Sequence, residues 1–374
     1  MKNTKYILER SLLEPADIIL TSSKTSSSLA IRAATISRYS HAAIYVGDTT
    51  IEATLDGVFS KNPQRLVFDR PSDVAVFRSK RTLTEQETNQ ICSYARSQTG
   101  SLYALTEAIT IRARSSLGLE ETKRQFCSRL VAQSYAFAKF DFINLRKPSY
   151  CTPRQLSLCK AFEKIEGVIR PATDDEVAFA KTPDPNIENQ RQTYEWLNKV
   201  RSIVKEEKTL SHIEIQTIND VNDFLLLHPE FDKQIAGFMK ASGYLDFYNH
   251  DTEINQFRYN KQLFILVMAT QSNAKTFLEF ELDKEPNLFT KFTNMLEAFI
   301  RYCQQLDLDC FRHHLRLYIN LTTGVLVRLD VIAHGYSSIG DHEAAAMIND
   351  LSKLVKNVID AGENCIQELD AKKA

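Results

Sequence analysis

The chain has 374 residues, of which 43% are hydrophobic and 25% are charged. These proportions are typical of globular proteins and exclude collagen, long disordered chains and simple repeats. The length exceeds that of one average domain and therefore favours two domains.

The formal net charge of -1 conceals two regions of opposite sign. Residues 1–160 contain 23 lysines and arginines against 14 aspartates and glutamates, whereas the remaining residues contain 23 against 33. This asymmetry supports two domains that attract each other, or a basic N-terminal half that faces an anionic partner. The alternative is that the charges only keep both halves soluble.

Seven cysteines, an odd number, are scattered along the chain. This pattern favours reduced thiols in a cytoplasmic protein, and the lack of C-x-x-C spacing removes the usual signature of a zinc ribbon. The longest apolar run, Leu263 to Ala269, is far shorter than the roughly 20 residues of a transmembrane helix. Charges interrupt the start of the chain, so we expect no signal peptide, although an effector delivered without a conventional signal would look the same.

The first part of the chain, residues 1–165, shows a mixed pattern of strands and helices. Strands are predicted at 16–21, 42–46, 50–55, 66–68 and 74–77. Helices are predicted at 28–36, 84–98, 102–112 and 127–140. The order of these elements predicts an α+β domain.

The pattern changes in the second half of the chain. Residues 166–186 carry three prolines among polar and acidic residues, which predicts a linker. From residue 187 to 374 helical periodicity prevails, with predicted helices at 263–281, 288–306, 311–334 and 342–369. We therefore expect an all-α domain at 187–374, whose sequence indicates no activity of its own.

The predicted hairpin between the second and third strands is the most informative feature. Its turn, Gly47-Asp48, suits a two-residue connection because glycine tolerates positive φ. With this turn Ala43 pairs with Glu52, and side-chain alternation places His41 and Glu52 on the same polar face as diagonal neighbours about 7–8 Å apart. A carboxylate there can bind one imidazole nitrogen and orient the other outward. A three-residue turn would rotate Glu52 to the apolar face.

A nucleophile for such a base is available at the start of the predicted helix 127–140. Cys127 follows Lys123 and Arg124 and precedes Arg129. Nearby cations and a helix N-terminus both favour a thiolate, and a thiolate beside an oriented imidazole suffices for acyl transfer. The structural alternative is that Cys127 is a small buried residue.

Five segments carry a recognisable pattern: 16–20 (ADIIL), 39–48 (YSHAAIYVGD), 51–53 (IEA), 57–58 (GV) and 126–131 (FCSRLV). In this pattern a histidine on one strand and a glutamate on the next precede a cysteine at a helix start, whereas ordinary papain-like enzymes carry the cysteine first. Over residues 12–160 the chain therefore resembles the permuted papain-like, NlpC-type cysteine hydrolases, in particular their YiiX-like branch.

The resemblance implies a papain-like core, in which a helix with the nucleophile packs on a small antiparallel sheet that carries the base. It implies that Cys127 is the nucleophile, that His41 is the general base and that Glu52 orients the imidazole. No metal or organic cofactor is implied.

Two tyrosines are candidates for substrate binding. The segment Gly100 to Tyr103 resembles the Gly-x-x-Tyr segment that precedes the cysteine in the family. Tyr45 lies on the polar face of the predicted hairpin with His41. The chain departs from the family at Ala16, where a glycine is usual before the aspartate that opens the strand.

These observations lead us to expect a cysteine hydrolase that cleaves an amide or peptide-type bond through an acyl-enzyme on Cys127. One alternative is a lipid acyltransferase or thioesterase that uses the same residues. The other is a degenerate papain-like binding protein whose helical half recruits a protein partner. The substrate is a peptide, an isopeptide or a lipid-like molecule, and no nucleic-acid partner is expected.

Overall fold

A computed structural model describes residues 4–22, 38–111, 121–142, 145 and 147–372. The chain divides into two compact units, Met1–Val221 and Asn222–Ala374. The helix predicted at 28–36 lies outside the described residues.

The described strands of the first unit are β1 Tyr6–Leu8, β2 Ile18–Thr21, β3 His41–Tyr45, β4 Thr50–Thr54, β5 Gly57–Lys61, β6 Val74–Ser79, β7 Phe162–Lys164 and β8 Ile169–Pro171. Six of them form an antiparallel sheet in the order β5-β4-β3-β2-β6-β7. The other two, β1 and β8, pair with each other.

Four of the five predicted strands form, and the exception is the segment 66–68. In the segment 66–68 only Phe68 pairs, through a single bridge to Tyr6. A tight turn that begins at Pro63 precedes this segment and another turn that begins at Pro71 follows it. The intervening chain is therefore too short to add a full strand.

Helices cover one face of the six-stranded sheet. The helices of this unit are α1 Glu85–Ser97, α2 Leu105–Ile109, α3 Cys127–Phe137, α4 Pro153–Leu158, α5 Asp174–Ala180 and α6 Pro185–Glu206, and α7 Ile218–Leu227 crosses into the second unit. Helix α1 starts at a capping box formed by Thr84 and Glu87, at the predicted start of this helix. Helices α1 and α3 bury side chains from alternate positions of β2, β3 and β4.

The register of the β3–β4 hairpin is the predicted one. Ala43 pairs with Glu52 and Ile44 pairs with Ile51, and the Val46 N–H donates to the Thr49 carbonyl. The turn residue Gly47 has a φ of 109°, which favours glycine. Ala16 also has a positive φ, with a value of 79°. The family that the chain resembles usually has glycine at this position.

The structure differs from the linker expected at 166–186. This segment contains β8 and α5, and the first unit continues through α6 to Val221. The prolines do not interrupt these elements because Pro171 is the last residue of the short strand β8 and Pro185 is the first residue of α6, where no intrahelical N–H bond is lost. The first compact unit therefore extends beyond the boundaries at 165 and 187 that the sequence suggested and ends at Val221.

Helix α6 covers β5, the outer strand of the sheet. The Tyr194 ring stacks on Phe59 with centroids 4.8 Å apart and an interplanar angle of 14°. The side-chain amide of Gln190 accepts a hydrogen bond from the Ser60 N–H and donates one to the Ser60 carbonyl at 2.8 Å. These contacts satisfy backbone groups that an uncovered edge strand would expose.

The second unit is helical throughout the part of it that the structure describes. Its helices are α8 Asp232–Ala241, α9 Asn249–Ile254, α10 Lys261–Ala269, α11 Ala274–Leu282, α12 Glu285–Gln305, α13 Asp309–Ser338 and α14 His342–Ala371. The helix predicted at 263–281 is two helices, because the Asn273 side chain caps the N-terminus of α11. Among the described residues, no helix is long and apolar enough to cross a membrane.

Candidate active site

The hairpin brings His41 and Glu52 into contact. His41 Nε2 lies 2.7 Å from Glu52 Oε2. The second carboxylate oxygen, Oε1, lies 2.7 Å from the ammonium group of Lys61 on β5. The Glu52 side chain is only 8% exposed, so both of its oxygens depend on these two partners for their electrostatic stabilisation.

Cys127 is the first residue of α3 and is 3% exposed. Its sulfur is hydrogen-bonded to the His41 side chain and to the backbone N–H groups of Ala42 and Ser128. Because His41 Nε2 contacts Glu52, Nδ1 is the ring nitrogen left for the thiol. The structure therefore brings together the three residues predicted to form the site. Cys127 contacts His41, and His41 contacts Glu52.

The electrostatics of this trio favour charged forms. Burial alone would lower the pKa of His41, but hydrogen bonds to Cys127 and Glu52 and the charge of Glu52 raise it to about 10. Burial raises the pKa of the Cys127 thiol, but the hydrogen bond and charge of His41 outweigh burial and lower it. Burial also raises the pKa of Glu52, yet His41 and Lys61 bring it down to about 2. These shifts favour a thiolate–imidazolium pair beside an ionised carboxylate.

Cys127 differs in this respect from the other six cysteines, all of which lie in the described residues. Burial raises the pKa of every one of them: Cys92, Cys151, Cys159, Cys303, Cys310 and Cys365. None of the seven forms a disulfide. Cys127 is therefore the thiol with the strongest nucleophilic character at neutral pH.

The two candidate substrate-binding tyrosines lie in different places. Tyr103 bridges to Gln125, two residues before Cys127, and the pKa of Tyr103 is raised by burial and by the charge of Cys127. Tyr103 thus lies close to Cys127. Tyr45 is 7% exposed and packs in the core against Ile19 and Val76, four residues along β3 from His41 and so about 13 Å away. The structure therefore does not bring Tyr45 to the site.

Arg129 holds the chain around Cys127, and its role was not predicted. The guanidinium group is fully buried and lies 2.6 Å from the Glu107 carboxylate on α2. It also donates to the carbonyl of Arg124, three residues before Cys127, and to the carbonyl of Ser149. These bonds tie the start of α3 to two neighbouring segments and so fix the position of Cys127.

An apolar pocket of about 290 Å³ lies next to the start of α3. One of its wall residues, Cys151, accepts a hydrogen bond from Ser128 at 2.7 Å through its carbonyl, and the Cys127 charge contributes to the raised pKa of its thiol. The pocket is lined by Phe142, Leu145, Cys151, Arg154, Gln155, Leu156, Leu158 and Cys159. Among the described residues, no cluster of three histidine, cysteine or acidic side chains could hold a metal ion.

The sheet, the cysteine-bearing helix and the order of the three residues define an α+β domain of the permuted papain-like class. Residues 13–150 match the model of a family described as permuted papain-like amidase enzymes, the YaeF/YiiX or C92 family. The matched stretch contains His41, Glu52 and Cys127, and it confirms the resemblance found in the sequence. No curated protein matches the chain. The family description supports a hydrolase of amidase type.

Proposed function

We propose that the first unit is a cysteine-dependent amidase in which Cys127 is the nucleophile, His41 the general acid and base, and Glu52 the group that orients and charges the imidazole. One observation carries the proposal: His41 is hydrogen-bonded to the buried Cys127 thiol on one side and to Glu52 on the other. This is the arrangement that nucleophilic acyl transfer requires.

The first half of the proposed reaction acylates the enzyme. The Cys127 thiolate attacks the carbonyl carbon of the bound amide and forms a carbon–sulfur bond. The imidazolium of His41 gives its proton to the departing amine as the carbon–nitrogen bond breaks. Glu52 stays ionised and stabilises the imidazolium before that transfer.

The second half releases the acid. Neutral His41 accepts a proton from a water molecule, and the resulting hydroxide attacks the acyl carbon. The carbon–sulfur bond then breaks and restores the thiolate of Cys127 beside a protonated His41. No metal or organic cofactor takes part in this scheme, because thiolate and imidazole supply the nucleophile and the proton transfers.

We propose a peptide-type amide as the substrate, since the family model describes amidases. A second candidate is thioesterase or lipid acyl-transfer chemistry on the same residues, and the apolar pocket beside Cys151 favours it because such a pocket suits an acyl chain. Turnover of peptide amides compared with long-chain thioesters separates the two. The helical second unit is proposed to recruit a protein partner.

The reactive thiol is tested without knowledge of the substrate. Purified protein is treated with iodoacetamide at pH 7, and the alkylated cysteine is mapped by peptide mass spectrometry. Cys127 should react first in the wild type, and this reaction should slow strongly in His41→Ala. Cys159 is the internal control, because it is the most accessible of the seven thiols and would react first if exposure alone decided the rate. An unreactive Cys127 would favour a degenerate binding protein instead.

We further propose a cytoplasmic setting. All seven cysteines are free thiols in the structure, and persistent free thiols are typical of reducing compartments. Fractionation of cells that produce the protein, followed by detection of the full chain, tests this location.

A further inference from the structure

Glu52 has two buried oxygens and two different partners. Oε2 lies 2.7 Å from His41 Nε2, and Oε1 lies 2.7 Å from Lys61 Nζ. A carboxylate held at one oxygen alone can rotate about its terminal bond. The second contact removes this freedom and keeps Oε2 directed at the imidazole.

Lys61 also changes the charge balance of the site. A thiolate, an imidazolium and a carboxylate together carry one net negative charge. The Lys61 ammonium neutralises this excess, which matters because Glu52 is nearly inaccessible to water. The other titratable groups at Cys127 are Tyr103 and Cys151, both of which keep their protons at neutral pH because burial raises their pKa.

The backbone that carries Lys61 is held by α6, which lies outside the residues that match the family model. Gln190 binds both the N–H and the carbonyl of Ser60, the residue directly before Lys61. Lys61 itself is the last residue of β5, and its carbonyl accepts a hydrogen bond from Thr50 at 3.2 Å. The strand end is therefore fixed from both sides.

We infer that Lys61 is a positioning residue of the active site, which anchors the second oxygen of Glu52, and that Gln190 of α6 holds Lys61 in place. This inference rests on the proposed function of Cys127, His41 and Glu52. It extends the site beyond the three residues and connects it to a helix that follows the family-like region.

The test measures the rate of Cys127 alkylation by iodoacetamide from pH 3.5 to 10 in the full-length chain. In Lys61→Met the aliphatic stem stays but the ammonium is lost, so the Glu52 carboxyl protonates at higher pH and then no longer stabilises the imidazolium. The acid limb of the profile should move up by about 0.5 pH unit or more, because an opposite charge this close shifts a carboxyl pKa by roughly 1–3 units before solvent screening. The plateau rate should fall several-fold.

Two further variants make the test specific. Lys61→Arg retains the cation and should restore the wild-type acid limb. Lys164→Met is the matched control, because Lys164 also lies at the end of an outer strand, is 45% exposed and pairs with Glu166 at 3.0 Å. Its profile should equal that of the wild type.

Gln190→Met tests the part played by α6. It removes both hydrogen bonds to Ser60 and should shift the acid limb in the same direction as Lys61→Met, by a smaller amount. An unshifted Lys61→Met profile overturns the role of Lys61, and an unshifted Gln190→Met profile overturns the part assigned to α6. The proposed function fails separately, if alkylation of wild-type Cys127 is slow and independent of His41.

Discussion

The ring of Tyr194 on α6 occupies the space that a side chain at Gly57 would need. A β-carbon at residue 57 would overlap with the Tyr194 hydroxyl and ring, and Gly57 has a φ of 123°. The Tyr194 hydroxyl also donates to the Ser101 carbonyl at 2.9 Å. The start of β5 is thus shaped to receive α6, although α6 follows it by more than a hundred residues.

Gly57→Ala should destabilise the first unit by about 3 kcal/mol, because strained φ and overpacking each cost roughly 1–3 kcal/mol. The single tryptophan, Trp196, lies on α6, so its fluorescence follows the unfolding of the first unit in urea. Gly167→Ala is the matched control, because Gly167 has a φ of 77° but no heavy atom within 4 Å of an added β-carbon. Equal unfolding midpoints for the two variants would show that α6 does not press on Gly57.

His41→Ala should reduce turnover by about 10²–10⁴-fold, the usual contribution of a general base. Glu52→Gln should retain a measurable fraction, since glutamine still accepts a hydrogen bond from the imidazole but supplies no charge. The measurement is kcat/KM on an amide substrate that the wild type accepts. His250→Ala is a control, because His250 pairs with Glu253 at 3.1 Å in the second unit and has no proposed role in catalysis. If Glu52→Ala kept wild-type turnover, Glu52 would have no part in catalysis.

The pH dependence of the wild-type enzyme follows from the two coupled groups. The pKa of Cys127 is lowered, so the thiolate is lost only when the pH falls through that lowered value. The pKa of His41 is raised to about 10, so the imidazolium persists until the pH rises through that value. We therefore expect a broad profile of acylation rate with an alkaline limb near pH 10. A single-turnover pH series measures it, and an alkaline limb near pH 6.5 would show that His41 is not paired with the thiolate.

Truncation should separate the roles of α6 and the second unit. A chain that ends at Lys181 lacks α6, which leaves β5 as an uncovered edge, and we expect it to aggregate or to lose reactive Cys127. A chain that ends at Leu227 keeps α6 and completes α7, and it should remain folded with a reactive thiol. Circular dichroism and iodoacetamide labelling compare the two. A folded, fully reactive chain ending at Lys181 would show that α6 is dispensable.

Features that depend on neighbouring residues in the chain were predictable from the sequence. The turn Gly47-Asp48 determines the hairpin register, and the register alone places His41 and Glu52 on the same face. The start of α3 at Cys127 was likewise predictable, because apolar periodicity begins there. The order of these three residues, together with the five sequence segments around them, indicated the permuted papain-like class.

Features that join distant segments were decided by tertiary structure alone. No local pattern shows that Lys61 would contact Glu52, since β5 was not predicted as a strand and the contact depends on its pairing with β4. The continuation of the first unit through α6 was also not visible, because prolines at 171 and 185 resemble a linker in sequence but occupy a strand end and a helix start. Sequence patterns report short-range backbone preference, whereas packing between remote segments depends on complementary shapes, such as that of Gly57 and Tyr194.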